Sequence, residues 1–210
     1  MNRATTRAGG GLPSAIGMRR DIGPLAPRRS ILTGLVAGLA LCSIPAFAHG
    51  NIGPVRPPIR VPDINIIASD DFQGPLRERL LGRVTAVQLM FTKCKSICPI
   101  EAATFVRTQE ALASNLPKGV QLLSLSIDPL TDTPEVLTAW LNSLNARPAW
   151  MAASPAKVDL TRAREFFDGV SSLGEDHSTA MSLIDRAGLL VWRTPELPAP
   201  EEVARMLRLL

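Results

Sequence analysis

The 210-residue chain has no tyrosine, only two histidines and three cysteines, and just 4% of its residues are aromatic. With so few rings to stack on bases, and no basic stripe beyond the first thirty residues, nucleic-acid binding is excluded as a function class. Neither an internal repeat nor a low-complexity tract is present, which excludes repeat arrays. Proline is plentiful at 18 residues, yet none falls between Pro155 and Pro195. That gap becomes informative once the fold is considered.

Acidic residues are nearly missing from the start of the chain. Residues 1–29 carry Arg3, Arg7, Arg19, Arg20, Arg28 and Arg29 against Asp21 alone. Residues 31–48 (ILTGLVAGLALCSIPAFA) are uncharged and mostly apolar, and they close on Ala46-Phe47-Ala48. A basic region, an apolar region and an A-x-A site predict a signal peptide over 1–48, cleaved before His49. Arg28-Arg29-Ser30-Ile31-Leu32 resembles a twin-arginine export signal, with an ordinary secretory signal as the alternative. The apolar run also just reaches spanning length, so a retained inner-membrane anchor is the alternative to cleavage. Cys42 leaves with the leader in the cleaved form. The expected location is periplasmic.

Cleavage removes six arginines and one aspartate, so the formal net charge falls from +4 to −1. The high overall pI therefore belongs to the leader. Residues 49–60 contain Pro54, Pro57 and Pro58 and read as a loose, extended arm. Residues 61–210 are the length of one domain.

Within that domain, residues 61–67 alternate weakly and pair with a short strand near 71–75, followed by a short helix over 76–81. Residues 84–91 (VTAVQLMF) and 120–127 (VQLLSLSI) are apolar runs suited to strands buried on both faces. A helix is predicted over 100–116 from the spacing of Ala103, Val106, Ala111 and Leu112. Thr133 caps another that has Pro134 at its first position and runs to about Leu144. A strand over 149–152, a helix over 155–167, a hairpin of 179–185 with 189–193, and a helix over 199–209 complete the order. This β-α-β-α-β-α-β-β-α order is that of an α/β thioredoxin-like fold, a mixed sheet flanked by helices.

The two remaining cysteines, Cys94 and Cys98 in FTKCKSICPI, fall at a strand-to-helix turn with Pro99 next. A helix N-terminus stabilises thiolates through its free N–H groups and its dipole. Three intervening residues let the pair open wider than a CxxC, or close to a disulfide. As a purely structural bond, that disulfide would close a tiny loop and add little stability. Thioredoxin-fold oxidoreductases place a cis-proline opposite their cysteines, in the loop before the hairpin. Here that loop is Gly174-Glu175-Asp176-His177-Ser178, and the proline gap leaves His177 in its place. Two thiolates and an imidazole form a donor set of mixed softness, with thiolates selecting Cu(I) and imidazole tolerating Cu(II).

These pieces together resemble the Sco/SenC family of copper-binding, thioredoxin-like assembly proteins. The matching segments are FTKCKSICP, SIDP at 126–129 with TDTPEVL at 131–137, EDHS at 175–178, and SLID at 182–185. They run in the family's order, over roughly residues 62–210. The resemblance implies that Cys94, Cys98 and His177 are copper ligands. It also implies that copper, or reducing equivalents, pass to a cuproprotein such as the dinuclear copper centre of cytochrome c oxidase subunit II. Lys95-Ser96-Ile97 departs from the Pro-Asp-x that many members carry, and the stretch between Phe167 and His177 is short.

The resemblance leads to a metallochaperone, acting as a monomer, rather than an enzyme. A metal-independent thiol-disulfide oxidoreductase using Cys94 and Cys98 as a reversible redox pair is the alternative. A thiol peroxidase ranks last, because Thr92 alone does not complete its motif. Asp128 and Asp176 read either as turn formers or as groups orienting His177. His49 is a weak chelator candidate, with no free histidine to complete its site. Met90 and Met181 belong to the core.

Overall fold

The computed structural model describes residues 52–113, 118–168 and 177–210. The leader and His49 lie outside them, as do Glu175 and Asp176. Among the described residues, no helix is long and apolar enough to cross a membrane.

The two apolar runs become β-strands in which every residue is buried, Val84–Met90 and Val120–Ser126. They pair in parallel, Val84 opposite Val120 through to Met90 opposite Ser126. Parallel pairing covers both faces of a sheet, which is why polar alternation is missing from these runs. In chain order the elements are β1 (Gly53–Arg60), β2 (Asn65–Ala68), β3 (Gln73–Pro75), α1 (Leu76–Leu80), β4 (Val84–Met90) and α2 (Cys98–Ala113). There follow β5 (Val120–Ser126), α3 (Pro134–Ser143), β6 (Trp150–Pro155), α4 (Leu160–Asp168), β7 (Ser182–Ile184), β8 (Leu189–Arg193) and α5 (Pro200–Leu209). One eight-stranded mixed sheet has the order β1-β8-β7-β4-β5-β6-β2-β3. Strands β4, β5 and β6 are parallel to their neighbours among themselves, and the other pairings are antiparallel.

Side chains alternate across the sheet, so each central strand feeds two cores. Val84, Ala86 and Met90 of β4 pack with Phe105, Leu112, Leu137 and Val203 on the face covered by α2, α3 and α5. Val87 and Leu89 pack with Leu76, Leu80, Ala163 and Phe167 on the face covered by α1 and α4. Met90 and Met181 are fully buried, as expected. The α/β architecture with helices on both faces is the one the element order implied.

Four expectations are corrected. Residues 49–60 do not form a loose arm over their described part, because Gly53–Arg60 is a strand docked antiparallel on β8. Proline tolerates this place: an edge strand has amide positions that no neighbour needs. Helix α2 begins at Cys98, not Ile100, because Pro99 presets a helical φ in the first turn. The strand expected over 179–185 shortens to Ser182–Ile184, because side chains take the amides ahead of it. The hairpin near the start is also tighter, with Asn65–Ala68 pairing Gln73–Pro75.

Candidate metal centre

The thiols are placed by the end of β4 and the start of α2. Where β4 stops, the Phe91 carbonyl accepts the Cys94 amide at 3.1 Å, turning the chain back. Asp132, 2% exposed, holds this turn against the end of β5. Its carboxylate accepts the Thr92 amide at 3.2 Å, the Thr92 hydroxyl at 2.5 Å and the Ser126 hydroxyl at 2.6 Å. The unusual insert has a local job: the Ile97 carbonyl accepts the amides of Ile100 and Glu101, and its side chain packs on the core. Lys95 is exposed.

The two thiols differ. Cys94 is half-buried, with Sγ accepting the Cys98 amide at 3.4 Å and lying 3.5 Å from the Ser96 hydroxyl. Burial raises its pKa, but the hydrogen bonds from Cys98 and Ser96 outweigh that and bring it to about 7. Cys98 is buried, and desolvation pushes it up to about 12, with the adjacent Cys94 adding to the rise. Both thiols are free. One is a ready nucleophile at the rim and the other is an inward-facing, protonated partner.

His177 reaches the same point from the far end of the chain. Its Nε2 lies 3.6 Å from Cys98 Sγ, across 79 residues of sequence. Its Nδ1 lies 3.1 Å from the Ser178 carbonyl, an acceptor. Donation of Nδ1–H to that carbonyl leaves the Nε2 lone pair aimed at the sulfur, the arrangement that orients a ligating histidine. Phe91 meets the ring edge-on, centroids 6.4 Å apart.

The loop that follows His177 is tied down by side chains. Four consecutive amides, Ser178 to Met181, donate to Asp168, Glu196, the Ser178 hydroxyl and the Thr194 hydroxyl in turn. Glu196 also accepts the hydroxyls of Ser178 and Thr179. Burial would raise the Glu196 carboxyl, but these bonds win and hold it below its ordinary value. Arg193 donates to the Phe167 carbonyl at 2.7 Å and to the Ser182 hydroxyl at 3.1 Å, fixing the end of α4 beside the loop.

Of the residues singled out from sequence, Cys98 and His177 meet, and Cys94 lies on the adjoining turn, its Sγ against the Cys98 amide, outside the group of ligand atoms that Cys98 and His177 share. Asp128 stays within its own turn, hydrogen-bonded to Ser126, Thr131 and Asp132. Sequence reasoning missed Asp132, Asp168, Glu196 and above all Glu101. Glu101 is three residues beyond Cys98, and a spacing of three on a helix shares a face. That spacing was the available signal. Its carboxylate lies 3.9 Å from His177 Nε2, and Cys98, Glu101 and His177 each offer a ligand atom within 4.8 Å of the others.

Comparison with known proteins gives the family and the fold. The family model described as SCO1/SenC matches residues 73–210. An SCO2-like protein of Rickettsia prowazekii (strain Madrid E) is 26% identical over 119 residues, covering 53% of this chain and 58% of that protein. The chain thus spans less than two thirds of that relative's length. A SCO1/SenC family lipoprotein from Bacillus anthracis superposes with a TM-score of 0.65 at 23% identity, covering 74% of this chain and 98% of that one. Yeast Sco1 with copper bound superposes with a TM-score of 0.60 at 20% identity, covering 72% and 92%. At these identities the structural likeness speaks for the fold.

Proposed function

This chain belongs to the SCO1/SenC family, and from that premise we propose that it is an exported, periplasmic copper-binding protein. Cys94, Cys98 and His177 hold the ion, and the protein hands it to a cuproprotein by ligand exchange. The observation that carries this reading is the convergence of Cys98 Sγ and His177 Nε2 at 3.6 Å, with Cys94 on the same turn. The donors suit copper: two sulfurs prefer the monovalent ion, and the oriented imidazole accommodates either state. Export is supported by the basic-apolar-AxA pattern of residues 1–48.

The unequal thiols suggest an order of events. Cys94 stands at the rim, so an incoming thiolate displaces Cys94 from the ion first. Buried Cys98 and His177 hold the ion until the partner has supplied enough ligands to complete the transfer. The dinuclear copper centre of cytochrome c oxidase subunit II, with its cysteine ligands, is the acceptor that best fits this exchange.

The same asymmetry supports a companion activity. Cys94 thiolate attacks a partner disulfide, forming a mixed disulfide and expelling one partner thiolate. Cys98, losing its proton, then attacks Cys94 Sγ, releasing the second partner thiol and leaving a Cys94–Cys98 disulfide. The partner gains two electrons and this protein loses two.

Copper stoichiometry and affinity of the reduced protein, compared with Cys94→Ala, Cys98→Ala and His177→Ala, test the assignment. Wild type should bind one copper ion, and each variant should lose at least about tenfold in affinity. One tight copper retained in all three variants would sink the reading. Disulfide exchange that is indifferent to His177→Ala and to chelation would leave the metal-free alternative.

A further inference from the structure

Glu101 is buried in the interior beside these donors. Its side chain is only 1% exposed, yet among the described residues neither carboxyl oxygen has a hydrogen-bond partner. A buried carboxyl without a hydrogen bond costs free energy that a leucine would not. The carboxyl instead points at the two ligand atoms already described, 3.9 Å from His177 Nε2 and within 4.8 Å of Cys98 Sγ.

Bonds of about 2.0–2.3 Å to nitrogen, oxygen and sulfur, as for zinc, put neighbouring ligands on one ion roughly 3–4 Å apart. The 3.6 Å and 3.9 Å separations around His177 Nε2 meet that spacing. Helix α2 places Cys98 and Glu101 on one face, so a single rigid element supplies both a soft and a hard donor. Hard carboxylate oxygen adds little for a monovalent copper ion that two thiolates and an imidazole already satisfy. A divalent ion takes a fourth ligand and accepts oxygen.

We propose that Glu101 is a fourth, oxygen ligand of this centre, engaged by a divalent ion and not by Cu(I). The proposal rests on the Cys94–Cys98–His177 reading and extends it to the oxidation state of the cargo. The site thereby has two modes, a three-ligand mode for Cu(I) and a four-ligand mode for a divalent ion.

The test uses the full chain, anaerobically reduced, with Cu(I) alone and with Co(II) alone as a divalent ion that leaves the thiols reduced. In Glu101→Gln, Co(II) affinity should fall at least about tenfold and the ligand-field spectrum should change, while Cu(I) affinity stays within about threefold. Glu101→Asp keeps an oxygen donor and should bind Co(II) more tightly than Glu101→Gln. In wild type the infrared carboxyl band should shift on adding Co(II), a readout that needs no variant to fold. An unshifted band, an unchanged Co(II) spectrum in Glu101→Gln, or equal losses for both ions would overturn the proposal. Failure of the underlying reading looks different: wild type itself would bind neither ion, or would bind both independently of Cys94, Cys98 and His177.

Discussion

Residues 91–101 and residues 177–181 meet at one site, but they are held there differently. The thiol arm leaves a strand buried on both faces and enters a sixteen-residue helix. The imidazole arm enters a strand of three residues. Its backbone is held by carboxylates and hydroxyls from α4 and from the segment after β8. Apolar packing and helix propagation make the first arm part of the core. Discrete polar clamps make the second arm adjustable. The proposed capture and release of an ion would gain from one fixed arm and one arm whose grip is set by a few hydrogen bonds.

Asp132→Ala should do the largest damage, because it removes at once the two hydrogen bonds from Thr92 of the thiol arm and the one from Ser126 of β5. Leaving those donors unsatisfied in a buried place should cost about 3 kcal/mol of stability, read by denaturant unfolding. If the loss is below about 1 kcal/mol, the two arms are not anchored as differently as described.

Glu196→Gln should act on the imidazole arm with much less effect on the fold. Copper affinity is expected to fall about tenfold, with thermal unfolding little changed. The Glu196 carboxyl is held below its ordinary value of 4.5 in the folded protein. Its contribution is therefore present above that value and is lost as pH falls through the lower folded value. The wild-type advantage over Glu196→Gln should shrink accordingly on acidification. A difference that grew on acidification would contradict the clamp.

The smallest effect is expected from a place that serves neither arm. Thr133 caps α3, its hydroxyl accepting the Val136 amide at 3.4 Å. Thr133→Ala should cost up to about 1 kcal/mol of stability and leave copper affinity unchanged. A loss of affinity here would mean that the arms respond to global stability rather than to their own anchors.

Local chemistry made much of this legible from the residues. VTAVQLM and VQLLSLS declared buried strands because no polar alternation breaks them, and Thr133-Pro134 declared a helix start. The cysteines were legible for the same reason, since a strand end, a turn and a proline are neighbours in sequence. His177 stood out because a histidine is rare here and a proline was missing. The Pro-rich residues 53–60 misled, because proline marks an edge strand and a loose arm alike.

What the chain's order of residues determined by itself is the α/β architecture, the thiol pair at a helix start and the candidate imidazole. These follow from periodicity, capping and turn chemistry, which act over a few residues. Only the tertiary structure decided the rest. It separated a half-buried Cys94 from a buried Cys98, pinned four amides ahead of β7, and left Glu101 buried beside His177 without a hydrogen-bond partner among the described residues. Burial and long-range hydrogen bonds depend on which elements pack together, and no local pattern of residues carries that information.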